Sequence, residues 1–171
     1  MRIALKLAFD ERAAVRLLNW LARENVELLS ARPDIPLLYE SGVIYRRERD
    51  ETWSDALNTL AQGWEDCDAL SAWRAGELMA RGYKALSRGD GGYKHAKRDR
   101  LKRIEAEVFL RTRAPEGRTG LYHCLVRYRV GRRWYRDDPS ARLGMYGPDR
   151  LENPWGDRPE DLSLIHISEP T

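Results

Sequence analysis

The sequence predicts an α+β fold in which a central helix carrying a cysteine packs on an antiparallel sheet, and three observations carry that prediction. Apolar residues recur at helical spacing through Glu11–Asn25 and again through Cys67–Arg81. From Ile104 onward the chain instead alternates apolar and polar residues in successive segments. A glycine turn at Gly131 and Arg132 then joins two of those segments as a hairpin.

Arg2 to Phe9 places Ile3, Leu5, Leu7 and Phe9 on one side, as a half-buried strand requires. Asp10 suits the N-cap of the first helix, whose stripe is Ala14, Val15, Leu17, Leu18, Leu21 and Ala22. Pro33 and Pro36 put a loop before Tyr39, and a short helix is expected over Ser54–Ala61. The next helix runs from Cys67 to Arg81 and stops at Gly82. Its Ala69, Ala72, Trp73, Gly76, Met79 and Ala80 share a face, with Arg74, Glu77 and Arg81 elsewhere, so the small residues predict close packing on a sheet. Ile104, Ala106, Val108 and Leu110 then alternate with Glu105 and Glu107. Leu121–Val130 follows, with Tyr122, Cys124, Val126, Tyr128 and Val130 opposite His123, Leu125, Arg127 and Arg129; Trp134–Arg136 returns as its partner.

Charged residues make up 33% of the 171 residues while the net charge is only +3, a balance that reads as a soluble globular protein. Residues 1–146 are expected to form one domain, followed by a Pro- and Gly-containing tail over 147–161. Residues 162–171, Leu-Ser-Leu-Ile-His-Ile-Ser-Glu-Pro-Thr, resemble a translated sequencing-adapter scar and are set aside, His166 with them. No apolar run approaches membrane-spanning length and the first ten residues lack a signal-peptide pattern, so no membrane partner and a cytoplasmic location are expected. Cys67 and Cys124 read as two free thiols, one reactive and one buried. Neither has metal-site spacing, and no metal or cofactor is expected.

Cys67 carries the chemistry. In Gln62-Gly63-Trp64-Glu65-Asp66-Cys67-Asp68 a loop hands over to a helix start, where unpaired N–H groups and the macrodipole favour the thiolate. Asp66 as N-cap would accept from the N–H of Asp68 or Ala69 and aim the Cys67 side chain. Tyr122-His123-Cys124 and then Asp137-Asp138-Pro139-Ser140 complete the chain order of a cysteine, histidine and acid site for acyl transfer. Parity constrains the acid. An even hairpin loop puts Asp138 on the face of His123, whereas an odd loop puts Asp137 there.

The segment from Lys84 to Arg103 sets Lys84, Arg88, Lys94, Lys97, Arg98, Arg100, Lys102 and Arg103 against Asp90 and Asp99. It reads as an exposed excursion between the central helix and the sheet, with a lid or a contact for nucleic acid as functional alternatives. His95 reads as a surface histidine. Gly89, Gly91 and Gly92 make a loop without the context of a phosphate-binding motif.

The run Leu38–Glu48, then Glu51-Thr52-Trp53, then Asp66–Leu78 resembles the transglutaminase-like proteins encoded by bacteriophages and prophages, and Tyr122-His123 and Asp138–Met145 fit the same pattern. The resemblance implies a papain-like cysteine fold with Cys67 as nucleophile, His123 as base and Asp138 as orienting acid. It also implies Trp53 as an indole donor to the oxyanion, although by residue type alone Trp53 reads as a core aromatic. The implied substrate is a protein or peptide offering a Gln carboxamide or a peptide bond. The setting would be the cytoplasm of a bacterial host or the virion, with phage structural proteins as partners. Glu65 departs from the pattern, standing where the family usually has glycine, and a carboxylate near Cys67 opposes thiolate formation.

Three functions therefore compete. The first is a phage cysteine enzyme acting through a thioester, as a peptidase, amidase or transglutaminase. The others are a catalytically inactive papain-like module of a phage particle, and a nucleic-acid-associated phage protein using residues 84–103.

Overall fold

The computed structural model describes residues 1–4, 11–47, 52–82, 84–86, 104–113 and 121–145. The architecture is α+β. Helix α1 (Glu11–Ala31) outlasts the expected end at Asn25, because Leu29 continues the buried stripe of Leu18, Leu21, Ala22 and Asn25. Strand β1 (Arg2–Ala4) is described, while residues 5–9 of the expected strand and Asp10, the expected cap of the following helix, lie outside the described residues.

The middle of the chain holds short elements that the sequence pattern did not resolve. A 3₁₀ turn spans Leu38–Glu40. Strand β2 (Ile44–Tyr45) pairs in parallel with β4 (Trp64–Glu65), and β3 (Thr52–Ser54) pairs antiparallel with β1. Two-residue and three-residue strands are too short to display a period. Helix α2 (Ala56–Gln62) begins later than Ser54 because Thr52–Ser54 is strand and Asp55 is the cap, its side chain accepting from the Asn58 N–H.

Helix α3 (Cys67–Arg81) matches the expected bounds and is the buried central helix, but its burial is not confined to the face of small residues. Every residue from Cys67 to Leu78 is buried, Arg74 and Glu77 included. Those two survive inside because they pair: Arg74 Nη1 donates to Glu77 Oε1 at 2.5 Å, and Glu77 Oε2 accepts the Leu38 N–H at 2.6 Å. The close approach at Gly76 is also not to the sheet but to α1, since a Cβ there would lie 2.6 Å from Asn25 Cβ and 2.7 Å from the Ala22 carbonyl oxygen.

Strands β5 (Glu105–Arg113), β6 (Leu121–Val130) and β7 (Arg133–Asp137) form an antiparallel sheet in that order. Val108, Cys124, Val126 and Tyr128 bury one face with α1 and α3. The other face turns outward along Glu105, Arg127 and Arg129, where Arg127 pairs with Glu107 and Arg129 with Glu105. The Asn19 carboxamide of α1 donates to the Val108 carbonyl at 2.8 Å and accepts the Val108 N–H at 2.9 Å, covering the edge of β5 as a neighbouring strand would.

Val130 faces Arg133 across a two-residue loop, and Gly131 takes φ +64°, the left-handed value a tight hairpin demands. The short helix α4 (Pro139–Arg142) follows directly. Of the basic segment only residues 84–86 are described; they are helical, with Ala85 and Leu86 buried, so the chain beyond α3 is still core there instead of an exposed excursion. Residues 87–103, with His95 and the three glycines, and residues 146–171 lie outside the described residues. Among the described residues no helix is long and apolar enough to cross a membrane.

Candidate active site

The start of α3 is fixed by two local devices. Gly63 adopts φ +79°, ending α2 and turning the chain into β4. Asp66 is the N-cap of α3, and its Oδ1 accepts the Asp68 N–H at 3.2 Å, as its sequence position suggested. Cys67 is therefore the first helical residue, with its thiol at the positive end of a 15-residue helix buried through its first twelve residues.

The hairpin settles which acid faces the histidine. The even loop gives a register of Val126 opposite Asp137, so Asp138 comes onto the face of Leu125 and His123. Asp138 Oδ2 lies 2.9 Å from His123 Nε2. Its Oδ1 accepts the Ala141 N–H at 3.0 Å and caps α4, with Pro139 in the first helical turn where its missing N–H costs nothing. Both oxygens are thus held. With Nε2 on Asp138, Nδ1 is the ring nitrogen left for a thiol, and His123 and Cys67 shift each other's protonation.

Asp137, the alternative acid, points to the other side. Its Oδ2 accepts from Arg74 Nε at 2.7 Å and its Oδ1 pairs with Arg142 Nε at 3.1 Å. Burial works against the charge of Asp137, but Arg74 and Arg142 outweigh it and hold the carboxyl below its ordinary value. The Tyr39 ring lies under both guanidiniums, at 4.6 Å from that of Arg74 and 4.9 Å from that of Arg142. Because Arg74 stands two turns after Cys67 on α3 and Asp137 precedes Asp138, this buried cluster ties the nucleophile's helix to the acid's strand.

Electrostatics separate the two thiols. A hydrogen bond from Cys124 is the largest influence lowering Cys67 well below an ordinary thiol; burial opposes it, and His123 adds to the lowering. Cys124 moves the other way, pushed up chiefly by burial and then by its bond to Cys67. Burial lowers His123, yet the bonds to Asp138 and Cys67 prevail and raise it to about 9. The pair favours thiolate and imidazolium over two neutral groups.

Several expectations are corrected here. Cys124 does lie on the sheet face opposite the exposed Arg127 and Arg129, but that face meets α3, so Cys124 adjoins Cys67 instead of standing apart from it. Both thiols are buried, and Cys67 retains only 9% exposure. The Trp53 indole N–H donates to Asp68 Oδ2 at 2.8 Å, so this buried donor is already engaged and is not presented to an oxyanion. Glu65 is fully buried in β4, adjacent to the cap of α3.

The sequence reading missed Asp68, which is 1% exposed and accepts from Cys67 Sγ at 3.2 Å and from Cys124 Sγ at 3.1 Å on the same oxygen. Burial and the neighbouring Cys67 raise its carboxyl well above the ordinary range. It missed Tyr45 as well, a half-buried phenol raised by burial and by the charges of Cys67, Asp66 and Asp68. A carboxylate directly after a candidate nucleophile was the available signal for Asp68; nothing local marked Tyr45. No protein family, curated protein or solved structure matches this chain.

Proposed function

We propose that this protein is a phage-encoded, transglutaminase-like cysteine enzyme of papain-like fold that transfers acyl groups through a thioester on Cys67. One observation carries the reading: Asp138 holds His123 Nε2 at 2.9 Å, and His123 acts electrostatically on a thiol that opens a buried helix. His123 holds the thiol proton as imidazolium, and the thiolate attacks the carbonyl carbon of a Gln carboxamide or a peptide bond. As the C–N bond breaks, the imidazolium gives its proton to the departing ammonia or amine, leaving the thioester. Water or a primary amine, deprotonated by His123, then attacks the thioester and restores the thiol. Asp138 fixes the ring by holding Nε2–H throughout. The backbone N–H of Cys67, at the unpaired start of α3, is the oxyanion donor available from the helix.

A second reading, an inactive structural module, is favoured by a specific feature: the Cys67 thiol is buried and turned to Asp68 at 3.2 Å. Incubation with a glutaminyl peptide and a fluorescent primary amine, followed by intact-mass detection of a peptide adduct on Cys67, distinguishes the two. The enzyme reading expects an adduct, lost in Cys67→Ala, with released ammonia or a labelled peptide. A folded protein that forms no adduct with carboxamide or peptide substrates is the inactive module.

A further inference from the structure

We propose that Cys67, Asp68 and Cys124 form a three-ligand site for a thiophilic divalent cation, Zn²⁺ by its ligand chemistry, with the fourth position open. The ligand atoms of Cys67, Asp68 and Cys124 all lie within 4.8 Å of one another, and all three residues are buried. Both thiols point at one oxygen, Asp68 Oδ1, at 3.2 and 3.1 Å. Zinc bonds of about 2.0–2.3 Å place tetrahedral ligand atoms about 3.4–3.8 Å apart, so each sulfur and Asp68 Oδ1 need to part by only a few tenths of an ångström. Any proton still held on the sulfurs would leave on binding.

The supports of the site are also in place. Trp53 orients Asp68, fixing Oδ2 at 2.8 Å and leaving Oδ1 toward the thiols. Two adjacent ligands come from the first turn of α3 and one from β6, so regular elements pre-set the geometry. Two sulfurs and an oxygen select zinc over magnesium or calcium, which take oxygen ligands. A cation on Cys67 would occupy the electron pair that attacks substrate, making this an inhibitory site; that consequence alone rests on the proposed acyl-transfer function.

Cobalt is the probe. The reduced full chain titrated with Co²⁺ is expected to saturate at one equivalent, with a near-ultraviolet thiolate-to-cobalt band and the intense visible bands of tetrahedral cobalt, both abolished by Zn²⁺. Cys124→Ser should remove about half of the charge-transfer intensity, since one of two thiolates is lost. Trp53→Phe should weaken binding by about 10-fold while leaving that intensity unchanged, as a support of Asp68 would. Zn²⁺ should also protect both cysteines of the unmodified chain from alkylation, a readout that needs no variant to fold. Octahedral cobalt spectra, equal affinity in a folded Cys67→Ser/Cys124→Ser double variant, or unprotected thiols would each overturn the site. None of these readouts requires turnover, so a chain that binds cobalt but transfers no acyl group refutes only the enzyme reading, and the reverse result refutes only the metal site.

Discussion

Asp138 holds His123 and the start of α4 with a single carboxylate, Oδ2 lying 2.9 Å from His123 Nε2 and Oδ1 accepting the Ala141 N–H at 3.0 Å. The two duties can be separated by substitution. Asn is as good an N-cap as Asp but cannot stabilise an imidazolium. Asp138→Asn should therefore keep the melting temperature near that of the parent, while the rate of thioester formation falls by about 100-fold or more. Asp138→Ala should lose the rate and about 1 kcal/mol of stability as well. Thermal melts and single-turnover acylation of both variants check this, and an Asp138→Asn protein with parental rate removes Asp138 from the site.

Arg74 joins α3 to the end of β7 through Asp137 at 2.7 Å and braces Glu77 within the helix. Truncating Arg74 leaves two buried carboxylates without their shared cation. Arg74→Ala is expected to cost about 3–5 kcal/mol, read as a lower midpoint in denaturant unfolding. A change within about 0.5 kcal/mol would mean that the buried cluster does not hold the nucleophile's helix to the acid's strand.

At Gly76 the helices touch so closely that an added Cβ would meet Asn25 Cβ at 2.6 Å and the Ala22 carbonyl at 2.7 Å. The main chain of α1 cannot yield there cheaply, and Asn25 Oδ1 also accepts the Ala56 N–H at 2.8 Å. Gly76→Ala should destabilise by about 1–3 kcal/mol despite the higher helix propensity of alanine. An unchanged or raised melting temperature would show that α1 and α3 are further apart.

What the sequence made legible was whatever a local period or cap encodes. The bounds of α3, its Asp66 cap, the span of β6 and the face shared by His123 and Asp138 all follow from spacing and parity. Contacts between distant segments did not. The burial of Arg74 depends on Asp137, 63 residues away, and the engagement of Trp53 depends on Asp68; neither partner is marked by any repeat. Cys124 was placed on the correct face, but which element covers that face is a tertiary fact, and α3 brings it to Cys67. The strands β2, β3 and β4 are too short to alternate visibly, so no period marks them: Trp64–Glu65 reads as loop and Ser54 as the start of a helix.

The central claim is that Cys124 and His123 together keep Cys67 ionised, and the pH dependence of Cys67 alkylation tests it most directly. Cys67 lies well below an ordinary thiol, and His123 is raised to about 9, so the thiolate should persist as the pH falls and the imidazolium should persist until about 9. Iodoacetamide labelling with peptide mapping should give a Cys67 rate at pH 6 within about threefold of that at pH 8, where an ordinary thiol would drop roughly 100-fold. Cys124, raised by burial, should label far more slowly at both. Acyl transfer should decline above about 9 as His123 loses the proton that the leaving amine requires. His123→Ala should steepen the profile, and His123→Ala with Cys124→Ala should bring it closest to that of a free cysteine. A parental Cys67 rate that already falls steeply from pH 8 to pH 6, or that matches Cys124, would contradict an activated nucleophile.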